Sequence, residues 1–345
     1  VCRGTTGRFE RQLAGFDLVR CDACSMVYVW PRPSRSASRD SYERGARGLS
    51  SSAAAADDSC SGASANDVEA LWTAYSREYT PLLQQALARR MRRIARGRAI
   101  RRMLDFGCGS GHYLALARQV LGCDIAGVEM HPVGKLGASR FGFTLHAGSL
   151  EDAPFAPGSF DLVHAGQVLE HLPEPLHELE LLRRLLAPGG LVAIEVPNYG
   201  SISIRLGRDR FTSNVPPGHL NYFTPATLQR LVREAGLDVV WSRTSGLNYR
   251  DLCTPPARPA AGPVPPQTQA PPVPTETAPT AALPVELQPS TAFATGRIHP
   301  KLRLLEAVDD VLTTLGWGMQ NELVAVLPAV PARAGERHAT ARVGS

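Results

Sequence analysis

No run of apolar residues in the 345-residue chain approaches the roughly 20 that a membrane-spanning helix requires. A helical membrane span is therefore not expected. No signal-peptide pattern opens the chain either, and a cytoplasmic location is the expectation that follows. Cysteine is sparse: seven residues, scattered rather than framed, exclude a disulfide scaffold and fit thiols or metal ligands in a reducing compartment. The dinucleotide fingerprint G-x-G-x-x-G is also missing. Counted from Gly107 its last position is His112, and counted from Gly109 it is Leu114. Aromatics are absent from the arginine cluster of Arg89, Arg90, Arg92, Arg93, Arg96, Arg98, Arg101 and Arg102. These arginines fall on several helix faces and have no stacking platforms for bases, so we read a solvated helix face there.

What is present centres on Met103-Leu104-Asp105-Phe106-Gly107-Cys108-Gly109-Ser110-Gly111-His112. An apolar pair runs into an acid, and three glycines then alternate with small residues. Tyr113, Leu114, Leu116, Ala117 and Val120 follow at helical spacing. The pattern predicts a strand, a tight glycine turn and a helix start, which lets backbone approach a ligand closely. A second strand, Ile125-Ala126-Gly127-Val128, ends at Glu129 and Met130. A carboxylate there offers two acceptor oxygens, which suits a vicinal diol.

Asp105, the alternate glycines and Glu129 together resemble the class I S-adenosylmethionine-dependent methyltransferases. The resemblance implies an α/β fold, a doubly wound, seven-stranded, mostly parallel Rossmann-like sheet. It implies that Asp105, Gly107, Gly109 and Gly111 hold the cofactor's methionine end, that Glu129 takes the ribose hydroxyls, and that Met130 lies against the adenine. In the turn Ser149-Leu150-Glu151-Asp152 the family often places an acid first. Here that position is Ser149, so adenine recognition would fall to the Leu150 backbone, to Glu151 or to Asp152. Val168-Leu169-Glu170-His171-Leu172 is a further family-like string, at the C-terminal end of the fourth strand, where open α/β sheets bind ligands. Gln167 is expected to touch the cofactor's methionine portion. His171 could act as a general base or anchor the following turn, and we prefer the anchor.

The organisation expected along the chain is as follows. Residues 1–33 resemble the zinc-ribbon that precedes methyltransferases of a small-molecule subgroup, with Cys2, Cys21 and Cys24 as three of the four ligands that a structural zinc site wants. A linker spans 34–66, rich in serine, alanine and arginine, and the methyltransferase core spans 67–250. Two helices, from Asp67 and from Pro81, precede the first strand and are expected to fold over the cofactor. Pro188-Gly189-Gly190 should stop a helix that begins near Pro175. Leu191–Val196 is then the fifth strand and Leu237–Trp241 the sixth. Twelve prolines between Pro255 and Pro289 mark a low-complexity insertion over 251–297. Residues 298–328 carry a helix, Pro300 to Leu315, and a last strand that the resemblance slots antiparallel between the fifth and sixth. A polar tail covers 329–345.

The long loop from Gly200 to Leu220 lies at the ligand-binding edge, and such loops are commonly functional. His219, Tyr222 and Asn198 are the expected substrate contacts. Of the two imidazoles we assign chemistry to His219 and architecture to His171, with Tyr222 as part of the catalytic wall. The expected activity is methyl transfer from S-adenosylmethionine to a small-molecule acceptor of quinone, sugar or natural-product type. The rivals are an RNA methyltransferase using the Arg89–Arg102 cluster and a non-catalytic binding module of the same fold. A nucleic-acid partner is not expected, and oligomeric state is not legible.

Overall fold

The computed structural model describes residues 6–13, 15–36, 38, 65–201, 204, 216, 218–245 and 319–328. Cys2, Cys60, the proline-rich insertion, the helix expected over Pro300 to Leu315 and the polar tail lie outside these residues.

Seven strands make the main sheet: β4 (Arg102–Phe106), β5 (Asp124–Val128), β6 (Thr144–His146), β7 (Phe160–Gly166), β8 (Leu186–Pro197), β10 (Asp238–Ser245) and β11 (Gln320–Val326). Their order is β10-β11-β8-β7-β4-β5-β6. β4 is parallel to β5 and β7, β5 to β6, and β7 to β8. β11 runs antiparallel between β8 and β10, as the resemblance implied for the last strand. The chain moves from β4 outward through β5 and β6, then returns past β4 to begin β7. The crevice at that reversal, beyond the carboxyl ends of the strands, is where a ligand sits in such a sheet.

Side chains alternate across the sheet, and both faces are covered. Met103, Leu162, Leu191 and Val324 face one layer with Met91, Ile94, Leu114 and Leu116. Leu104, Val163, Val192 and Leu323 face the other, with Leu179, Leu182, Leu228 and Leu231. Helix α2 (Pro81–Ala95) starts because Thr80 accepts a hydrogen bond from the Leu83 amide and Pro81 occupies the first turn. Helices α1 (Ala65–Glu78), α3 (His112–Leu121), α4 (Val133–Phe141) and α5 (Pro175–Leu185) frame the parallel part. The helix α6 (Pro225–Glu234) opens with a reciprocal capping box between Thr224 and Thr227.

One boundary differs from expectation. α5 ends at Leu185, before Pro188, and β8 begins at once with Leu186 opposite Phe160. Pairing then resumes with Leu191 opposite Leu162, so Ala187 to Gly190 bulge out of the ladder. Pro188-Gly189-Gly190 shapes that bulge, with Gly189 at φ 72°, and does not stop the helix.

The N-terminal strands β1 (Gly7–Leu13), β2 (Phe16–Cys21) and β3 (Val27–Trp30) form an antiparallel sheet with β9 (Asn221–Tyr222), in the order β1-β2-β3-β9. The amino-terminal segment is thus hydrogen-bonded to the edge that carries His219. Cys21, Cys24 and Met26 are buried in the same apolar cluster as the main sheet.

Candidate active site

The turn after β4 is built by its glycines. Gly107 has φ 76°, and a Cβ there would lie 2.5 Å from Val168 Cγ2. Gly111 has φ 77°, and a Cβ would meet Phe143 at 2.6 Å. Both positions need glycine for conformation and for space. The Glu129 carboxylate braces this turn. It accepts from the Gly109 amide at 2.9 Å and from the His131 amide at 2.8 Å. Burial raises its proton affinity, and the backbone hydrogen bonds pull in the opposite direction. The Met130 amide also acts on this carboxylate, whose two oxygens carry about four acceptor sites, so capacity remains for a diol.

A cavity of about 380 Å³ opens beside the turn. Phe106 and Gly107 at the end of β4, Val128 to Met130 after β5, Gly148 to Asp152 after β6, and Gln167 to Pro173 with His171 after β7 all border it, apart from Leu169 and Glu170. Of the expected cofactor residues, Gly107, Glu129, Met130, Leu150, Glu151 and Gln167 therefore border one cavity. Gln167 adopts φ 57°, fixed by its amide on the Glu195 carbonyl and its side chain on Gln320. Gly109 and Gly111 belong to the bracing turn. Asp105 is placed differently from its expected role: its carboxylate is buried against His164, 2.7 Å from Nδ1. Ser149 bonds Asp152 at 2.6 Å, and Leu150 is buried behind it.

Helices α1 and α2 contribute a cover for the turn. His112 is stacked on Tyr79 and tilted against Trp72, both rings at 4.8 Å, and hydrogen-bonded to Ser76 and Ser110. Burial lowers its pKa to about 4.

The catalytic candidates separate. His171 borders the cavity, and its Nδ1 donates to the Gly218 carbonyl at 2.8 Å, which makes Nε2 the acceptor nitrogen. Burial lowers its proton affinity. His219 packs edge-on against it at 4.5 Å but is not among the cavity-lining residues, and burial depresses its pKa to about 3. Tyr222 is buried in β9 among Leu18, Val27 and Val29, with an edge contact to Tyr199. Asn198 is fully buried and caps the Gly200 amide. Glu170 is buried beside His171, and desolvation pushes its carboxyl up to about 8.

Two groups were not legible as site residues. Arg35, Ser36 and Ser38 stand at the start of the stretch read as linker, yet they line the cavity. Arg90 was read as part of a solvated face. It instead meets one acid from each of the paired strands β8 and β11, bonded to Glu195 and lying 3.8 Å from Glu322. Among the described residues, the one set of three side chains able to share a metal is Glu170, His171 and His219. Cys21 and Cys24 flank the turn between β2 and β3, and Cys2 lies outside the described residues.

A family model described as a methyltransferase domain matches residues 72–242. The ubiquinone biosynthesis O-methyltransferase of Thiobacillus denitrificans is 32% identical over 165 residues, 44% of this chain and 70% of that protein. Its counterpart in Cereibacter sphaeroides is 34% identical over 151 residues, 40% of this chain and 61% of that protein. A chain in the complex between the Haloferax volcanii Trm112 methyltransferase activator and a methyltransferase is 20% identical, with a TM-score of 0.47, covering 78% of this chain and 100% of that one. With the glycine turn, Glu129 and the sheet order in place, the chain belongs to the class I S-adenosylmethionine-dependent methyltransferases.

Proposed function

We propose that this protein transfers the methyl group of S-adenosylmethionine to an oxygen of a small, quinone-type acceptor. The observation that carries this is the shared cavity: the Glu129 carboxylate and the imidazole of His171 border one space, at the switch point of the sheet. The relatives named for ubiquinone biosynthesis support the acceptor class. Bound cofactor supplies an electrophilic methyl group on a sulfonium.

The chain's own residues would do the following. Glu129 accepts from the ribose hydroxyls, Met130 and Leu150 enclose the adenine, and Gln167 with the glycine turn orients the methionine end. Orientation of this kind supplies much of the rate in a displacement at carbon. A phenolic hydroxyl must lose a proton as it attacks, and a base must stand at the cavity. We assign that role to His171, reversing the expectation that gave chemistry to His219. His171 borders the cavity with Nε2 as its acceptor nitrogen, whereas His219 is packed behind it. Engagement of Arg90 by Glu195 weighs against the RNA alternative, since it removes the innermost arginine of the cluster from any binding face.

The test is incubation with S-adenosylmethionine and a panel of catechols, hydroquinones, sugars and a short RNA, followed by mass spectrometry. Methylation of a catechol or hydroquinone oxygen is the expected result. Methylation confined to sugar or RNA would overturn the acceptor assignment.

A further inference from the structure

The residues that follow β3 make two anchored contacts beside the cavity. Arg32 is half-buried, and its guanidinium donates to the Pro173 carbonyl and to Asn221 Oδ1. Asn221 in turn donates to the carbonyls of Leu169 at 2.9 Å and Leu172 at 2.7 Å. Three residues on, Arg35 spans two acids from different elements. It pairs with Glu174 at the start of α5 and, at 3.1 Å, with Glu151 in the turn after β6. Arg35, Ser36, Ser38 and Glu178 border the same cavity as Glu129 and Met130.

We propose that Arg35 is a cofactor-retaining residue. It closes the nucleoside end of the cavity by bridging Glu151 to Glu174, and Arg32 holds the strap in place. The proposal rests on the methyltransferase assignment, because it takes the cavity to be the cofactor's. Three acids, Glu151, Glu174 and Glu178, surround this one guanidinium. Without it they would repel one another and the rim would open. Both pairs are partly exposed, with the Arg35 side chain at 42% and each acid at 58%. Salt should therefore screen them, and the strap should open readily enough for product to leave.

The full chain should be compared with Arg35→Gln, with Glu174→Arg, and with the charge exchange Arg35→Glu/Glu174→Arg. Calorimetry gives affinity for S-adenosylhomocysteine, and stopped-flow displacement gives its release rate. The expected result is release about three- to fivefold faster in Arg35→Gln, the scale of exposed ion pairs. The charge exchange should restore part of that loss, which a merely structural effect would not do. Raising salt should speed release from the wild type and leave Arg35→Gln nearly unchanged. Wild-type release and affinity in a folded Arg35→Gln would overturn the strap. Failure of the wild type to bind any cofactor would instead overturn the methyltransferase assignment itself.

Discussion

Asp105 and His164 meet in adjacent parallel strands, Nδ1 to Oδ1 at 2.7 Å, with both side chains buried. Strand register puts them side by side, and Tyr113 stacks on the imidazole at 4.2 Å. The acid that opens the glycine turn is therefore held from within the sheet, just before Phe106 and Gly107, which border the cavity.

Removing either partner should leave the other buried without its acceptor or donor. Asp105→Leu and His164→Leu are each expected to cost about 3 kcal/mol of unfolding free energy, measured by urea denaturation. The double variant should cost clearly less than the two singles together, because nothing is left unpaired. Strict additivity would show that the contact carries no coupling.

Glu129 has a double duty, bracing Gly109 and His131 while facing the cavity. Glu129→Ala is expected to weaken S-adenosylmethionine binding by about 1–3 kcal/mol, the value of lost charge-assisted hydrogen bonds. Calorimetry reads this directly, and an unchanged affinity would remove Glu129 from the cofactor site.

Arg90 and its neighbour Arg92 should behave oppositely. Arg90 is largely buried, which opposes its charge, and pairing with Glu195 and Glu322 outweighs this and raises its proton affinity. Arg90→Met takes the cation from Glu195, which lies opposite Glu322 in the ladder, while Glu322 keeps Arg243 and Ser245; the expected cost is about 3 kcal/mol in thermal or urea unfolding. Arg92 is exposed, and Arg92→Ala should change stability by less than about 0.5 kcal/mol. Equal effects at both positions would mean that Arg90 is solvated after all.

That contrast shows where sequence pattern reaches its limit. The glycine turn was legible because left-handed backbone and close packing leave almost no other residue, and the sheet was legible because apolar strands end in turn residues. The last strand was placed by resemblance, since nothing in its own seven residues says which strands it will separate. Arg90 looked like its neighbours because its partners, Glu195 and Glu322, come more than a hundred positions later. Arg35 was hidden for the same reason, with Glu151 and Glu174 separated from it by 116 and 139 residues. The division of labour between His171 and His219 depends on which ring borders the cavity, and spacing carries no signal for that.

Two buried groups should tilt stability with pH in opposite ranges. Burial lifts Glu170 to about 8, above its unfolded value, so folding binds its proton. Its contribution is present below about pH 4.5 and is lost as pH rises towards 8. His219 is depressed to about 3, so folding expels its proton. Its contribution is present above about pH 6.5 and is lost as pH falls towards 3. Urea unfolding from pH 4 to 9 should show Glu170→Gln removing decline on the alkaline side, and His219→Gln removing decline on the acid side. A Glu170→Gln profile parallel to the wild type would mean that the carboxyl titrates normally.

The base assignment separates most sharply by kinetics. His171 is tied at Nδ1 to the Gly218 carbonyl and borders the cavity, with its Nε2 3.9 Å from the buried Glu170 carboxyl. Replacing it by glutamine keeps a hydrogen bond to Gly218 within reach but removes the basic nitrogen. His171→Gln is therefore expected to lower turnover of an identified acceptor by roughly a hundredfold, while cofactor affinity stays within a factor of about three. His219 supports that ring by an edge contact at 4.5 Å, and its low proton affinity makes it a poor base near neutral pH. His219→Gln should lower turnover far less, by about tenfold or below, through looser positioning of His171. An acceptor already ionised at the assay pH needs no base, so the His171→Gln defect should shrink as the acceptor's own acidity increases. A defect that is the same for acidic and weakly acidic phenols, or one confined to His219→Gln, would return the chemistry to His219 or remove base catalysis altogether.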